Sequence, residues 1–522
     1  MTQAFDAKGA VDTLYMFSCT LLLFSVVFGL SLFYSGLIQR RSSFTMLAIP
    51  MFLAALVFVD WYIWGYSLCY GSSSNHFIGS LKFAVLREIR STGQDIYSTP
   101  RGDILAVVHF LFNGMMKVIT VVITFPACIA ERGRILPMLV FLFFWSTIVY
   151  NPVTYWIWNR NGWLSTERNS IPVLDFAGGN CIHIVGGFTG LVYSYYLGPR
   201  NPKILENYRS SSNANMVIGT VFTVYGWCGF IAGCDFKFSA TTFYIIINTL
   251  LCASCAGISW SFIDYYNSAT PLDGNIHDGN SSNSTTADGH LVPVSKKRCM
   301  SIISFCSGLI SGLVVFTPCG GYLSTDISFW KSIVCGLVGG ITGNMATRVK
   351  YWLGIDDALD VFAVHGICGI VGSLLVGVFA DDLYNSKGGW VTHHWVQMGY
   401  QVLAVVVVSA YVCVVSLFLL YVVDIIPGLH LRIDKDFNRR MMANQNSDTE
   451  SGENKEYSTR YELAELMGTD WYEFRGEYTM DFMEFIRSLN PNDYVEEVES
   501  KEHSGYQAET SDSIQDLRKR SA

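Results

Sequence analysis

DDALDVFAVHGICGIVGSLLVGVFADD, residues 356–382, is the stretch whose reading decides the fold. From Val361 to Ala380 it is apolar and about as long as the roughly 20 residues a helix needs to cross a bilayer core. His365 interrupts the run, and Asp360 stands at its entrance. Charged residue types at mid-bilayer cost about 2.5 to 3.5 kcal/mol on insertion scales, so an ionisable group there marks function and needs a partner.

Internal repetition supplies that partner. LDFAGGNCIHIVGGFTGLVYSYYLG, residues 174–198, places Asp175 eight residues before His183, as Asp357 is placed before His365. Gly187 and Gly190 follow the first histidine at the offsets where Gly369 and Gly372 follow the second. The pattern Asp-x7-His-x3-Gly-x2-Gly therefore occurs twice, and its glycines suit close helix packing in a membrane.

The rest of the chain agrees with a polytopic membrane protein, because 51% of its residues are hydrophobic and they fall in repeated long runs. Eleven spans are predicted: 13–37, 44–70, 102–127, 135–158, 177–198, 214–234, 242–265, 299–322, 328–348, 360–380 and 397–424. The fold class expected is all-α and integral to the membrane. Two five-span halves, 1–5 and 6–10, joined after an odd number of spans have opposite topology, and an eleventh helix follows. Inverted repeats place their functional site at the repeat interface near the midplane. Spans five and ten then meet, and His183 becomes the partner of His365. A lone intramembrane histidine is as well explained by a bond to a neighbouring helix; two at matched repeat positions are not.

A neutral imidazole carries one donor and one acceptor nitrogen, so two of them can share a proton along an apolar conduit. No paired carboxylates, phosphate-binding loop or arginine clamp accompanies them. The pattern suits a small hydrogen-bonding substrate that is uncharged or easily neutralised.

Lys and Arg alternate between loops in a moderate bias: Arg40 and Arg41, Arg132 and Arg134, Arg200 with Lys203 and Arg209, Lys296 to Arg298, then Arg348 and Lys350. The positive-inside rule places residues 1–12 and the N-terminus outside, the loop 266–298 inside, and the C-terminus in the cytoplasm. The transport domain is then 13–424. The tail, 425–522, holds 21 acidic and 12 basic residues, a net of −9 against +1 for the preceding chain, so the overall −8 says nothing about substrate charge. Within it NQNSDTESGENKEYST reads as partly disordered, and ELAELMGTDWYEFRGEYTMDFMEFI as a segment able to dock. Ser447, Thr449 and Ser451 are candidate phosphorylation sites whose added charge would release a docked segment.

The fourteen cysteines sit mostly in spans, where they behave as small hydrophobes. Cys252 and Cys255 form a lone CxxC, for which no metal site is expected, and the sequons at Asn280 and Asn283 fall in the inner loop. An intramembrane histidine metalloenzyme such as a desaturase would need clusters of histidine boxes. Only His393 and His394 are adjacent here, so no metal, no cofactor and no enzyme activity are expected, and no nucleic-acid partner either.

DFAGGNCIHI, AERGRI (130–135), YNPVTYWIW (150–158), GWCGFIAG (226–233), TPCGGY (317–322) and the opening stretch together resemble the ammonium transporter (Amt/Mep/Rh) family over nearly all of residues 12–433. The acidic tail and PGLHLRID (427–434) resemble its fungal Mep branch with twin pore histidines. The resemblance implies a plasma-membrane homotrimer in the lipid bilayer with one pore per subunit. Its substrates would be ammonium, ammonia and methylammonium, with ammonium deprotonated and passed as ammonia along the twin histidines. It assigns His183 and His365 to the pore. Asp175 becomes the required acid near the vestibule, Trp158 the cation-recruiting aromatic, and Phe112 and Phe230 vestibule and gate aromatics. Without it, Trp158 would be one more interfacial tryptophan, Asp175 a helix cap, and Asp357 and Asp360 caps on the tenth span.

The departures from the family lie around the vestibule. Met116 stands in place of a gate phenylalanine, Cys234 in place of a recruiting serine, and Ile231 in place of a polar residue. Lys117 is a cation in mid-span, and a buried ion pair with Asp60 is expected to neutralise it. These changes raise an alternative: an ammonium sensor with weak transport that signals through its tail to a kinase or other partner.

Overall fold

A computed structural model of the protein describes residues 7–432 apart from 90–94, 100, 168–169, 206–207, 269, 272–282, 286–290, 294–295 and 385, together with 465 and 467–474. Its helical rods fall where the spans are predicted. They are α1 (Ala7–Leu37), α2 (Arg40–Tyr70), α3 (Ala106–Ile129), α4 (Ile135–Trp158), α5 (179–197) and α6 (Asn213–Gly233), then α7 (Ala240–Asn267), α8 (Ile302–Phe316), α9 (Phe329–Ala346), α10 (362–379) and α11 (Val396–Asp424). Among the described residues eight helices are long and apolar enough to cross a membrane, and Ile302–Phe316 is apolar but shorter. Large apolar side chains on their outer faces, such as Phe28, Val221, Val414 and Phe418, are more than half exposed, as lipid-facing positions require.

The two halves meet through equivalent helices. The first helix of each half, α1 and α6, crosses at Gly29 and Gly219, where a Cβ on Gly219 would lie 2.5 Å from the Gly29 carbonyl oxygen. The fifth helix of each half, α5 and α10, crosses at Gly187 and Gly366, where a Cβ on Gly187 would lie 2.2 Å from the Gly366 amide nitrogen. Only glycine allows such approaches, and the crossing brings the two histidine-bearing turns together.

The structure differs from the predicted spans at two places. Residues 102–105 are not helix but the strand β2 (Gly102–Leu105), paired antiparallel with β1 (Ile96–Thr99). The alternating side chains and the turn at Arg101 explain the hairpin. The eighth helix ends at Phe316, because Pro318 and the glycines of TPCGGY break it, and a short tight turn at Gly320–Leu323 follows. Asn280, Ser447, Thr449 and Ser451 lie outside the described residues.

Candidate functional site

Each histidine rides on a wide helical turn at the start of its rod, Gly179–Ile184 in α5 and Phe362–Ile367 in α10, and each turn is capped by the repeat's aspartate. Asp175 accepts from the amides of Gly178, Gly179, Asn180 and Cys181 at 2.6–3.3 Å, so both its oxygens are spent on the backbone. Asp357 accepts from the Phe362 amide at 2.8 Å. Burial, with Asp360 beside it, pushes the Asp357 carboxyl up to about 6. Asp360 is not a side-chain cap: its carboxylate pairs with Lys350 Nζ at 2.8 Å, and its carbonyl oxygen accepts from the Val364 amide.

The caps and the glycine crossing bring the imidazoles together. His183 Nδ1 lies 3.3 Å from His365 Nδ1, with ring centroids 5.3 Å apart and planes within 22°. At this contact one ring donates and the other accepts. Trp227 lies parallel to His183, at 5° between planes, and Thr317 Oγ1 sits 3.2 Å from His183 Nε2. Trp227 Nε1 donates to the same Thr317 oxygen, so a short polar cluster holds His183 in place.

Two pockets lie near these residues, one lined by Asp175 and one by His365. The lining of the first includes Trp158, Phe112, Met116, Asp175 and Cys234, five of the sequence-predicted vestibule and gate residues. His365, Val364, Asp360 and Trp260 line the second.

Within the first pocket, Trp158 Nε1 donates to the Asp175 carbonyl oxygen at 3.0 Å. The Cys234 thiol donates to the Phe230 carbonyl oxygen at 3.4 Å and so turns back on its own helix. Phe230 is not among the residues lining this pocket; it is fully buried and packs edge-on against Trp227 at 5.1 Å. Ile231 is buried against the Gly320 backbone.

The sequence reading missed the residues that the β1–β2 hairpin brings in. Tyr97 stacks on His109 at 4.0 Å, and Arg101 donates to the carbonyl oxygens of Phe176 (2.8 Å) and Cys234 (2.7 Å). The signal for them was the strand-turn-strand pattern of DIYSTPRGDIL, absorbed there into a loop and a span.

Lys117 points away from the pocket. Its Nζ lies 2.5 Å from Asp60 Oδ2 and 2.9 Å from Asn151 Oδ1, and Ser146 donates to the same Asp60 oxygen at 2.6 Å. The indole of Trp61 and the ring of Tyr150 each approach the ammonium at 5.3 Å. This cluster ties α3 to α2 and α4.

Histidines from two motifs of equal spacing meet at the α5–α10 crossing, which sets the fold apart from a general helical bundle. The model of the Ammonium Transporter Family matches residues 14–279 and 281–445. The chain belongs to the ammonium transporter family. Ammonium transporter 1 of Schizosaccharomyces pombe is 36% identical, covering 81% of this chain and 79% of that one. Ammonium transporter MEP2 of Saccharomyces cerevisiae is 35% identical, covering 78% and 76%. The crystal structure of Candida albicans Mep2 superposes with a TM-score of 0.70 at 30% identity, covering 87% of this chain and 91% of that one. The family is one of membrane transporters, not of enzymes.

At the face of this ammonium transporter opposite the vestibule, a tail segment is docked. Asp470 accepts from the amides of Phe44 and Thr45 in the first turns of α2 at 3.0 and 2.7 Å, and Glu473 accepts from the Ile135 amide at the start of α4 at 2.9 Å. A carboxylate suits Ile135 because a helix N-terminus leaves amides unpaired and carries partial positive charge, while Phe44 and Thr45 lie one turn further into α2. Glu465 accepts from the Asn201 amide and from Arg432. Nearby, Arg200 bridges Asp356 and Glu131, joining the loops that precede α10 and α4 to its own. Burial alone would raise Asp356, but the bonds and charge of Arg200 hold it down at about 2.

Proposed function

We propose that the chain conducts ammonium by recruiting it in the Trp158–Phe112 vestibule, removing a proton, and passing ammonia along His183 and His365 with the proton handled by the imidazole pair. The observation that carries this reading is the 3.3 Å Nδ1 to Nδ1 contact, with His365 lining one pocket and Asp175, which caps the turn bearing His183, lining another. Two neutral imidazoles in apolar surroundings offer hydrogen bonds to ammonia and disfavour a bare cation. Trp158 presents a face to a cation, and Met116 stands as the gate. In this reading eleven spans cross the plasma membrane with the N-terminus outside and the acidic tail inside, and three chains form a homotrimer. Methylammonium is a second substrate.

Ammonium-induced current in the wild type, His183→Ala and His365→Ala tests the reading. Current in the wild type that falls at least tenfold in both variants supports it. Equal currents in all three would sink it.

The vestibule departures at Met116 and Cys234 and the docked tail favour a second reading, a sensor with weak transport that signals through residues 425–522. Phosphate on Ser447, Thr449 or Ser451 would add negative charge to an already acidic tail and release the docked acids. A transporter-deficient cell that takes up no methylammonium but keeps ammonium-dependent signalling would support the sensor.

A further inference from the structure

Arg101 brings a cation to the mouth of a pocket read here as recruiting cations. The guanidinium is half-buried, lies 4.1 Å over the Phe176 ring, and donates from Nη1 to two carbonyl oxygens, those of Phe176 and Cys234. Among the described residues no carboxylate forms an ion pair with it; the nearby Glu167 is held by Arg160 at 2.6 Å.

An arriving ammonium carries four N–H donors and needs acceptors for them as it leaves water. Three carbonyl oxygens of the vestibule already accept a bond, which lowers what they can offer a cation. Cys234 and Phe176 accept from Arg101, and the Asp175 carbonyl accepts from Trp158. The Asp175 carboxylate is occupied by backbone amides. The Cys234 side chain, as a thiol, is a poor substitute acceptor, and it faces its own helix.

We propose that Arg101 is a tethered competitor for the recruitment site: its guanidinium occupies the carbonyl acceptors and the aromatic face that a substrate cation would use, and so weakens recruitment. The hairpin makes this possible. Arg101 sits at the turn between β1 and β2, and Tyr97 on the first strand is anchored by its stack on His109. Withdrawal of one side chain from the turn frees two acceptors and removes a like charge, without unfolding the strands. Arginine suits the role because its planar fork meets carbonyl oxygens and stacks on a ring at once.

The inference rests on the vestibule reading above, and the experiment separates the two. Methylammonium uptake is measured in cells lacking their own ammonium transporters, for the full chain, Arg101→Gln and Arg101→Lys, normalised to surface protein. Methylammonium binding to the purified chains is followed in parallel by tryptophan fluorescence. A KM and a dissociation constant at least threefold lower in Arg101→Gln, with Arg101→Lys between it and the wild type, is the expected result. An unchanged or weakened affinity in Arg101→Gln overturns the proposal even where uptake is robust. Tighter binding with no uptake in any chain would keep the competitor and discard the transport reading. Should Arg101→Gln fail to reach the surface, Arg101→Met, which removes the guanidinium and leaves the Phe176 ring and both carbonyl oxygens in place, is read by the same binding measurement. Tightened binding there supports the proposal, and weakened binding overturns it.

Discussion

Lys117 Nζ and Asp60 Oδ2 lie 2.5 Å apart with both side chains out of solvent, a charged pair in the middle of a helical bundle. Such a pair adds little net stability over an apolar substitute, yet removing one member strands the other and costs about 3–5 kcal/mol. Lys117→Met alone and Asp60→Leu alone should each lower the thermal stability of the detergent-purified protein. The double substitution should recover much of the loss. Additive losses would show that the two charges are not coupled.

Asp175 holds four backbone amides at the start of the helix that carries His183. Asp175→Ala leaves them buried and unpaired, at about 1–3 kcal/mol for each donor that finds no other partner. Methylammonium uptake per surface molecule is expected to fall at least tenfold. Asp175→Asn keeps one acceptor oxygen and should fall between the two. An Asn variant as inactive as Ala would point to the charge rather than the cap.

Gly187 sets the distance between the histidines, since any Cβ there would overlap the Gly366 backbone. Gly187→Ala should therefore push α5 from α10 and cut uptake at least tenfold, while Gly399→Ala, on α11 with nothing within 4 Å, should affect uptake little. Radiolabelled methylammonium uptake distinguishes the two.

The Arg200–Asp356 pair makes stability depend on pH. Its folded carboxyl sits at about 2, below the ordinary 3.8. A depressed carboxyl contributes fully above the unfolded value and loses that contribution as pH falls through the folded one. The thermal stability gap between wild type and Arg200→Gln should thus stay constant from pH 7 to about pH 5 and close between about pH 4 and pH 2. A gap that persists at pH 2 would mean the pair is not the source.

Asp470 and Glu473 fasten the tail to the first turns of α2 and the start of α4. Asp470→Ala with Glu473→Ala should make the tail more protease-sensitive in membranes while leaving the helical bundle intact. Alanine at Ser447, Thr449 and Ser451 together should prevent release by phosphorylation, read as constant protease sensitivity under kinase treatment.

Much of the site could be read from residue order. Matched histidines, aspartates and glycines at fixed offsets form a one-dimensional signal, and so does apolar length. The expectation that Asp357 caps α10 agrees with its bond to Phe362, whereas Asp360 turned to Lys350 in the preceding loop. Phe230, expected at the gate, packs edge-on against Trp227 and is not among the residues lining the first pocket, a placement set by its neighbours rather than by its position in the chain. The hairpin was lost inside a predicted span because its strand alternation was overridden by the apolar run that follows.

By itself the sequence determined that the chain is a duplicated helical membrane protein, because lipid demands long apolar helices and duplication leaves its spacing in the residue order. It also determined that two histidines stand at matched positions in two apolar stretches. Only the tertiary structure decided which groups are already satisfied. The Asp175 carboxylate is spent on amides, Lys117 pairs with Asp60, and the carbonyl oxygens of Phe176, Cys234 and Asp175 accept from Arg101 and Trp158. Hydrogen-bond saturation is a property of atoms within about 3 Å of one another, and chain order does not record which distant segments come that close.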